Sequence, residues 1–442
     1  MQGKRVAIVG GSIAGCATAL AVHRGGATEI TVFERSGAHL AERGVGLAVH
    51  GERYAELEAA GYLDGDMPSA PINHRRWYVG DGTSAMGRVI DTMTFPFRTY
   101  NWGPLWRELR ERVPASVEFR AATAVESVTA HSGGAGSAPG AELVTTSGTG
   151  RYDLVIGADG YRSVIREAVA GEPVRPEYAG YVAWRGAYPA ERLPEAERWA
   201  DDECAYVVFP GGHVIAYRIP DGRGGLRINW VLYATPPPDH DAAAALLPRP
   251  RTGAPAPGEA DTTVGTASTG SAVDDGTGAV PAAARTVTET LRRRLLRLVE
   301  EQLPPYWAEM VRVTAPDELF LQPIYDFTAP RYAGGALLLA GDAATVARPH
   351  TGAGAVKALQ DATALERSLT GAADWPEGLA AYDADRASVG RTMVELGRRL
   401  GHLLVEATPD WAAMDRRGLD EWWRRTDTTG SFGGRRLRGG TS

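Results

Sequence analysis

Residues 4–35, KRVAIVGGSIAGCATALAVHRGGATEITVFER, decide the fold. Residues 6–9 form a short apolar run of β-branched type, too short for a helix and closed by glycine, which predicts a buried parallel strand. Gly10 and Gly15 take the outer glycine places of a G-x-G-x-x-G turn. Ser12 takes the middle place, where the backbone must approach a pyrophosphate. Residues 13–23 are alanine-rich with apolar positions on a helical period, and Gly25-Gly26 ends them. That helix points its free N–H groups and positive dipole end at the turn, so Ser12, Ile13 and Ala14 frame an anion site. EITVFER is then the second strand. Glu34 falls at its end, where a carboxylate accepts from ribose hydroxyls, with Arg35 beside it. An acid there argues against a 2′-phosphate, so the expected nucleotide is the ADP half of FAD or NAD.

The remaining composition narrows the class. A chain of 442 residues is long enough for two or three domains, and a formal charge of −7 leaves no basic footprint for nucleic acid. Cys16 and Cys204 cannot build a disulfide framework, no signal segment precedes the first strand, and no apolar run approaches a membrane span. A cytoplasmic protein with no membrane and no nucleic-acid partner is expected. The nine histidines and two cysteines show no metal-ligand spacing, so no metal is expected.

Further along, residues 51–62 predict an amphipathic helix, and 71–95 predict paired strands turning at Asp81-Gly82. RYDLVIGADGYRSVIREAV (151–169) repeats the strand-turn-helix theme around Asp159. From residue 178 to 234 the chain turns to aromatic-rich strands, the pattern of a mixed or antiparallel sheet. Residues 236–285 are crowded with Gly, Pro, Ala, Ser and Thr, which bury too little apolar surface to offset chain entropy, so a flexible insertion is expected. A third strand and turn follow at Asp342, then a glycine-rich loop and a long helix. The end of the chain is helical, with Trp411, Trp422 and Trp423 open to packing on the core or on another subunit.

With these three strand-to-turn stations in this order, the chain resembles the single-component flavoprotein aromatic hydroxylases, the class A flavin monooxygenases of the p-hydroxybenzoate hydroxylase fold. The resemblance spans nearly the whole chain apart from 236–285 and the tail. It implies an α/β architecture: a discontinuous Rossmann-type FAD-binding domain (1–75, 96–177 and 320–375), a mixed or antiparallel-sheet substrate domain (76–95 and 178–319) and C-terminal helices (376–426); the tail (427–442), with its basic run GGRRLRGGTS, is expected to be disordered on its own sequence. It also implies that Gly10, Ser12, Gly15 and Glu34 hold the ADP moiety of FAD. By the same resemblance Asp159, with Gly160 and Arg166, serves FAD and the nicotinamide donor, and Asp342 meets the ribityl chain. Pro349, Thr351, Gly352, Ala353, Gly354 and Ala355 lie at the isoalloxazine edge, and Arg43 lies beside the flavin. One departure is visible: Trp102, before Leu105, stands where many members carry an arginine near the pyrophosphate, with Arg98 and Arg107 as the nearby cations.

The activity so implied is an NAD(P)H-consuming monooxygenase that uses molecular oxygen and a flavin hydroperoxide to hydroxylate a small phenol or hydroxylated heteroaromatic. NADH and NADPH are left open, and a homodimer is one assembly the sequence allows. Catalytic candidates are His213 and Tyr217 on one strand, His350 beside the flavin loop, and His50; for each, core packing or backbone bonding is the competing reading. Three rival functions stand beside this one: epoxidation or oxidative decarboxylation on the same scaffold, a flavin-free binding protein built like the Rab GDP-dissociation inhibitors, and a dehydrogenase holding NAD at the first turn.

Overall fold

The computed structural model describes residues 4–37, 46–132, 139–235 and 285–435. Its first layer is a six-stranded sheet in the order Ala333–Gly334, Leu337–Leu339, Leu154–Gly157, Arg5–Val9, Glu29–Phe33, Glu118–Arg120. All its pairs are parallel except the Ala333–Gly334 edge. Four of the five residues of Arg5–Val9 are buried, as expected for a strand covered on both faces. Helix Ile13–Arg24 packs on the sheet, and ten of its twelve residues are buried. Val9, Gly157 and Leu339 stand level in register, so three strands release their turns side by side at one sheet end. That end is where open α/β sheets hold ligands.

The second layer is a larger mixed sheet. Its order is Arg285–Thr286, Leu319–Thr328, Glu177–Pro189, Leu226–Ala234, Gly212–Pro220, Glu203–Phe209, Ala70–Val79, Arg88–Asn101, Gly46–His50, with Thr345–Val346 joined to Leu319–Thr328. One pair, Glu203–Phe209 with Ala70–Val79, is parallel. The expected domain cuts at 75/76, 95/96 and 319/320 pass through the interiors or ends of three of these strands, because alternation marks a strand without naming its partner.

Helices Gly354–Gly371, Trp375–Gly401 and Arg416–Thr426 complete the chain. Trp411, Trp422 and Trp423 pack on the large sheet against Trp77. The tail expectation needs correcting: residues 427–435 are folded, with Ser431, Phe432, Gly433 and Gly434 buried. Asp427 holds this hook by accepting from Ser431 N and Phe432 N, and Gly430, Gly433 and Gly434 supply the positive φ it needs. Of the expected insertion, residues 236–284 lie outside the described residues, as do Arg43 and the end of the tail beyond residue 435, while the insertion's last residue, Arg285, begins an edge strand. Among the described residues no helix is long and apolar enough to cross a membrane.

Candidate active site

At the shared end of the first sheet the three turns interlock. Gly10 has φ +102, and a Cβ there would stand 2.4 Å from Ala158 O in the Asp159 turn. A Cβ on Gly15 would stand 1.9 Å from Gly10 O, and one on Gly341 (φ +60) 2.9 Å from Ala14 Cβ. Glycine is required at Gly10 because the first turn touches the Asp159 turn at backbone distance, at Gly15 because the first turn closes on itself, and at Gly341 because its positive φ brings it against Ala14 Cβ. Glu34, nearly buried, accepts from Gly11 N at 2.7 Å and Ser36 N at 2.8 Å, which fixes its carboxylate beside the first turn. Asp159 Oδ2 accepts from Val164 N at 2.8 Å, while its Oδ1 has no partner. Burial pushes the Asp159 carboxyl up. Arg166 ties two stations together, donating to Tyr161 O and Ala343 O.

The third turn hangs from a buried ionic cluster. Asp361 accepts from Gly341 N at 2.8 Å, from Lys357 Nζ at 2.5 Å and from Arg386 Nε at 2.7 Å, with all three side chains at most 3 % exposed. Burial alone would raise Asp361, but Lys357 and Arg386 hold it below the usual carboxylate range. Asp342, next in the turn, is pushed up to about 6 by burial; Lys357 pulls against that and Asp361 adds to it.

This sets a pH dependence for the protein without FAD. Between about pH 4 and 6 the folded chain holds a proton on Asp342 that the unfolded chain has released, so this contribution is full below pH 4 and is lost as pH rises through 6. Asp342→Asn is therefore expected to stabilise the FAD-free protein at pH 7.5 by about 1–3 kcal/mol, with the gap closing toward pH 4. Melting curves of the two proteins across that range check it; a gap that is flat with pH, or of opposite sign, contradicts it.

One cavity joins the two layers. Ser12, Ile13, Ala14, Ala158, Gly160 and Asp342 line it from the first sheet, together with Pro349, His350, Thr351, Gly352, Ala353 and Gly354 from the flavin-type loop. Arg185, Tyr206, Tyr217, Tyr233 and Gln322 line it from the large sheet, and Phe432 reaches it from the C-terminal hook. Two imidazoles meet near the far wall, with His350 and His213 centroids 5.2 Å apart. His350 Nε2 lies 2.8 Å from Tyr181 OH and its Nδ1 has no partner. Burial keeps His350 far below its usual range, with His213 and two arginines adding to the effect, so it is neutral.

The structure brings most sequence-predicted residues to this cavity. His213 is fully buried behind the wall, its Nδ1 3.2 Å from Leu404 O, and burial lowers it to about 3. His50 is not among the cavity-lining residues: its Nδ1 accepts from Glu52 N at 3.2 Å and caps helix Gly51–Ala59. Arg35 is exposed, and Ala355 falls in the first turn of helix Gly354–Gly371. Trp102 lines the cavity and stacks on Trp106, whose Nε1 donates to Gly11 O at 2.8 Å. Arg98 instead lies over the Tyr54 ring and Arg107 faces solvent, so neither replaces the missing arginine. Lys357, Asp361 and Tyr206 were not signalled by any motif.

The residues fit FAD: a glycine cradle no Cβ could share, an unpaired Asp159 oxygen and a carboxylate on the cavity wall. Comparisons with known proteins agree. Residues 280–396 match the FAD binding domain family, and 178–247 match an FAD binding domain-like family. The chain is 25% identical to the 2,6-dihydroxypyridine 3-monooxygenase of Paenarthrobacter nicotinovorans over 410 residues, covering 90% of this chain and 91% of that one. It is 29% identical to the 3-amino-4-hydroxybenzoate 2-monooxygenase of Streptomyces cremeus over 428 residues, covering 91% and 87%. The solved 2,6-dihydroxypyridine-3-hydroxylase from Arthrobacter nicotinovorans shares the fold, with a TM-score of 0.73 at 23% identity over 93% of this chain and 96% of that one.

Proposed function

We propose, from the premise that this chain is an FAD-dependent monooxygenase of the class A flavoprotein hydroxylase family, that it hydroxylates an electron-rich phenol or hydroxylated heteroaromatic with NAD(P)H as reductant. One observation carries the reading: a single cavity is lined by the three turns suited to FAD and by the aromatic strands of the large sheet. FAD supplies the electron transfer and oxygen activation when bound there. The overall balance is ring C–H + O2 + NAD(P)H + H+ giving ring C–OH + H2O + NAD(P)+. The named substrates of two relatives, a dihydroxypyridine and an amino-hydroxybenzoate, are rings made nucleophilic by hydroxyl groups.

The chain's own residues serve that chemistry in three ways. The tyrosines and Phe432 exclude water from the ring's position. Arg185 and Gln322 offer polar recognition on the same wall. His350, neutral at physiological pH, can accept a hydrogen bond from the ring hydroxyl at Nδ1 in the tautomer that donates Nε2–H to Tyr181, which orients the ring.

NAD(P)H oxidation and oxygen uptake across a panel of phenols and hydroxypyridines test the reading. At least one compound is expected to accelerate both by about tenfold or more, the scale of substrate-stimulated catalysis rather than idle oxidase turnover. A yellow protein that no member of the panel stimulates sinks the hydroxylase assignment, and a colourless protein unable to take up FAD sinks the flavoenzyme premise.

A further inference from the structure

Behind the aromatic end of the cavity lies a buried cation, Arg75, with no ion-pair partner among the described residues. The ladder of Ala70–Val79 with Arg88–Asn101 slips register between Ile72 and His74, and Asn73 N and His74 N both donate to Asp202 O. Alternation breaks there: Asn73 and His74 are both exposed, and Arg75 turns inward at 4 % exposure. Its guanidinium carbon lies 4.0 Å from the Trp423 ring centroid, 5.1 Å from Phe95, 5.3 Å from Tyr206 and 5.4 Å from Phe432. Nη2 reaches Met93 Sδ at 3.2 Å, while Nε and Nη1 have no partner. Among the described residues no carboxylate forms an ion pair with it; Asp427 favours its charge from a distance while directing both oxygens to the hook's backbone.

A charge buried without an ion-pair partner is costly, and these four rings, with Trp77 at 5.3 Å as a fifth, do not fill two N–H directions. Arg75 is one side chain away from the cavity, because Phe95, Tyr206, Phe432 and its ladder neighbour Cys204 all line it. Burial pushes the Tyr206 phenol up and Cys204 adds to that, while Arg75 offsets part of the rise, so the cation acts directly on the hydroxyl that faces the cavity.

We propose that Arg75 is a specificity-determining residue: through Tyr206 and across the low-dielectric aromatic wall it selects a substrate ring bearing an anionic oxygen, as carboxylate or phenolate. This rests on the hydroxylase reading above. In low dielectric the field of a cation without an ion pair extends past its first neighbours, so the ligand's negative oxygen supplies the near anion that Arg75 lacks. The other ionisable groups at this end are Cys204, Tyr206, Tyr217, Tyr233, Arg185, His350 and Asp427; Asp427 is the acid that acts on Arg75, and it does so from a distance, without an ion pair.

Two probes read the two anions. With 4-hydroxybenzoate and 4-hydroxybenzamide as a matched pair, the wild-type Kd should favour the carboxylate by about tenfold. Arg75→Met should erase that ratio while amide binding changes less than about twofold, and Arg75→Lys should keep most of it. With 4-nitrophenol, absorbance should show the bound phenol ionising about one pH unit lower in wild type than in Arg75→Met. A shift in either arm supports the assignment; unchanged ratios and unchanged ionisation in both overturn it. Both arms are equilibrium measurements on the FAD-loaded protein, so they stand even if no panel compound is turned over. Should Arg75→Met not fold, Tyr206→Phe on the cavity wall replaces it, with the same expected loss of preference and the same overturning result.

Discussion

Asp361→Ala is expected to destabilise the protein by about 3–5 kcal/mol and to weaken FAD binding by about a hundredfold or more. The substitution leaves Lys357 and Arg386 buried without their shared anion, and it strips Gly341 N of its acceptor. Breaking a buried cluster from one side costs more than the cluster itself contributes, because the orphaned charges remain in low dielectric. The FAD effect follows from place: Asp342 is the next residue after Gly341, so the turn that would meet the ribityl chain loses its anchor. Urea unfolding and flavin-fluorescence titration measure the two effects. Neutralising the whole cluster, with Lys357→Met, Asp361→Leu and Arg386→Met together, should recover much of the stability and little of the FAD affinity. A single variant that loses under about 1 kcal/mol means that the cluster does not hold the turn.

How much of this was legible in the sequence depended on whether the signal was local. The Gly10 turn, the strand before it and the place of Glu34 at the end of the second strand could be read because they depend on chain spacing alone; the bond from Gly11 N to Glu34 that the structure adds was not signalled. Asp159 and Asp342 were legible for the same reason, each following a short apolar run. Lys357 and Asp361 were not: an i, i+4 pair on a helix has the pattern of a solvated surface pair, and only the sheet beneath shows it to be buried. Arg75 escaped because its inward turn comes from a ladder irregularity that involves residues 20 to 130 positions away. The hook at 427–435 failed differently. Glycine-rich composition signals freedom in an unfolded chain, yet here three glycines provide the left-handed angles that seat Phe432 on the cavity. His50 had the right residue type for catalysis, but its ring nitrogen is spent on a helix cap.

Gly10→Ala is expected to lower FAD affinity by at least about a hundredfold, whereas Ser12→Gly should leave it within about threefold. The two positions belong to one fingerprint and differ in what limits them. Gly10 holds φ +102, which costs an L residue roughly 1–3 kcal/mol. Its new Cβ would also meet Ala158 O at 2.4 Å and Ala158 C at 2.7 Å, both backbone atoms that cannot rotate away. Relief requires the first and second turns to part, and that separation opens the end of the sheet at which Val9 and Gly157 stand level. Ser12 keeps ordinary angles, φ −78 and ψ −167, makes no side-chain cap bond, and already faces the cavity. Removing its side chain therefore takes away no contact that holds the turn and restores the glycine a close pyrophosphate prefers. Equal losses at both positions would mean that the fingerprint acts through helix stability instead of through contact between the turns, and the convergence of the three stations on one ligand would no longer explain why Gly10 is glycine.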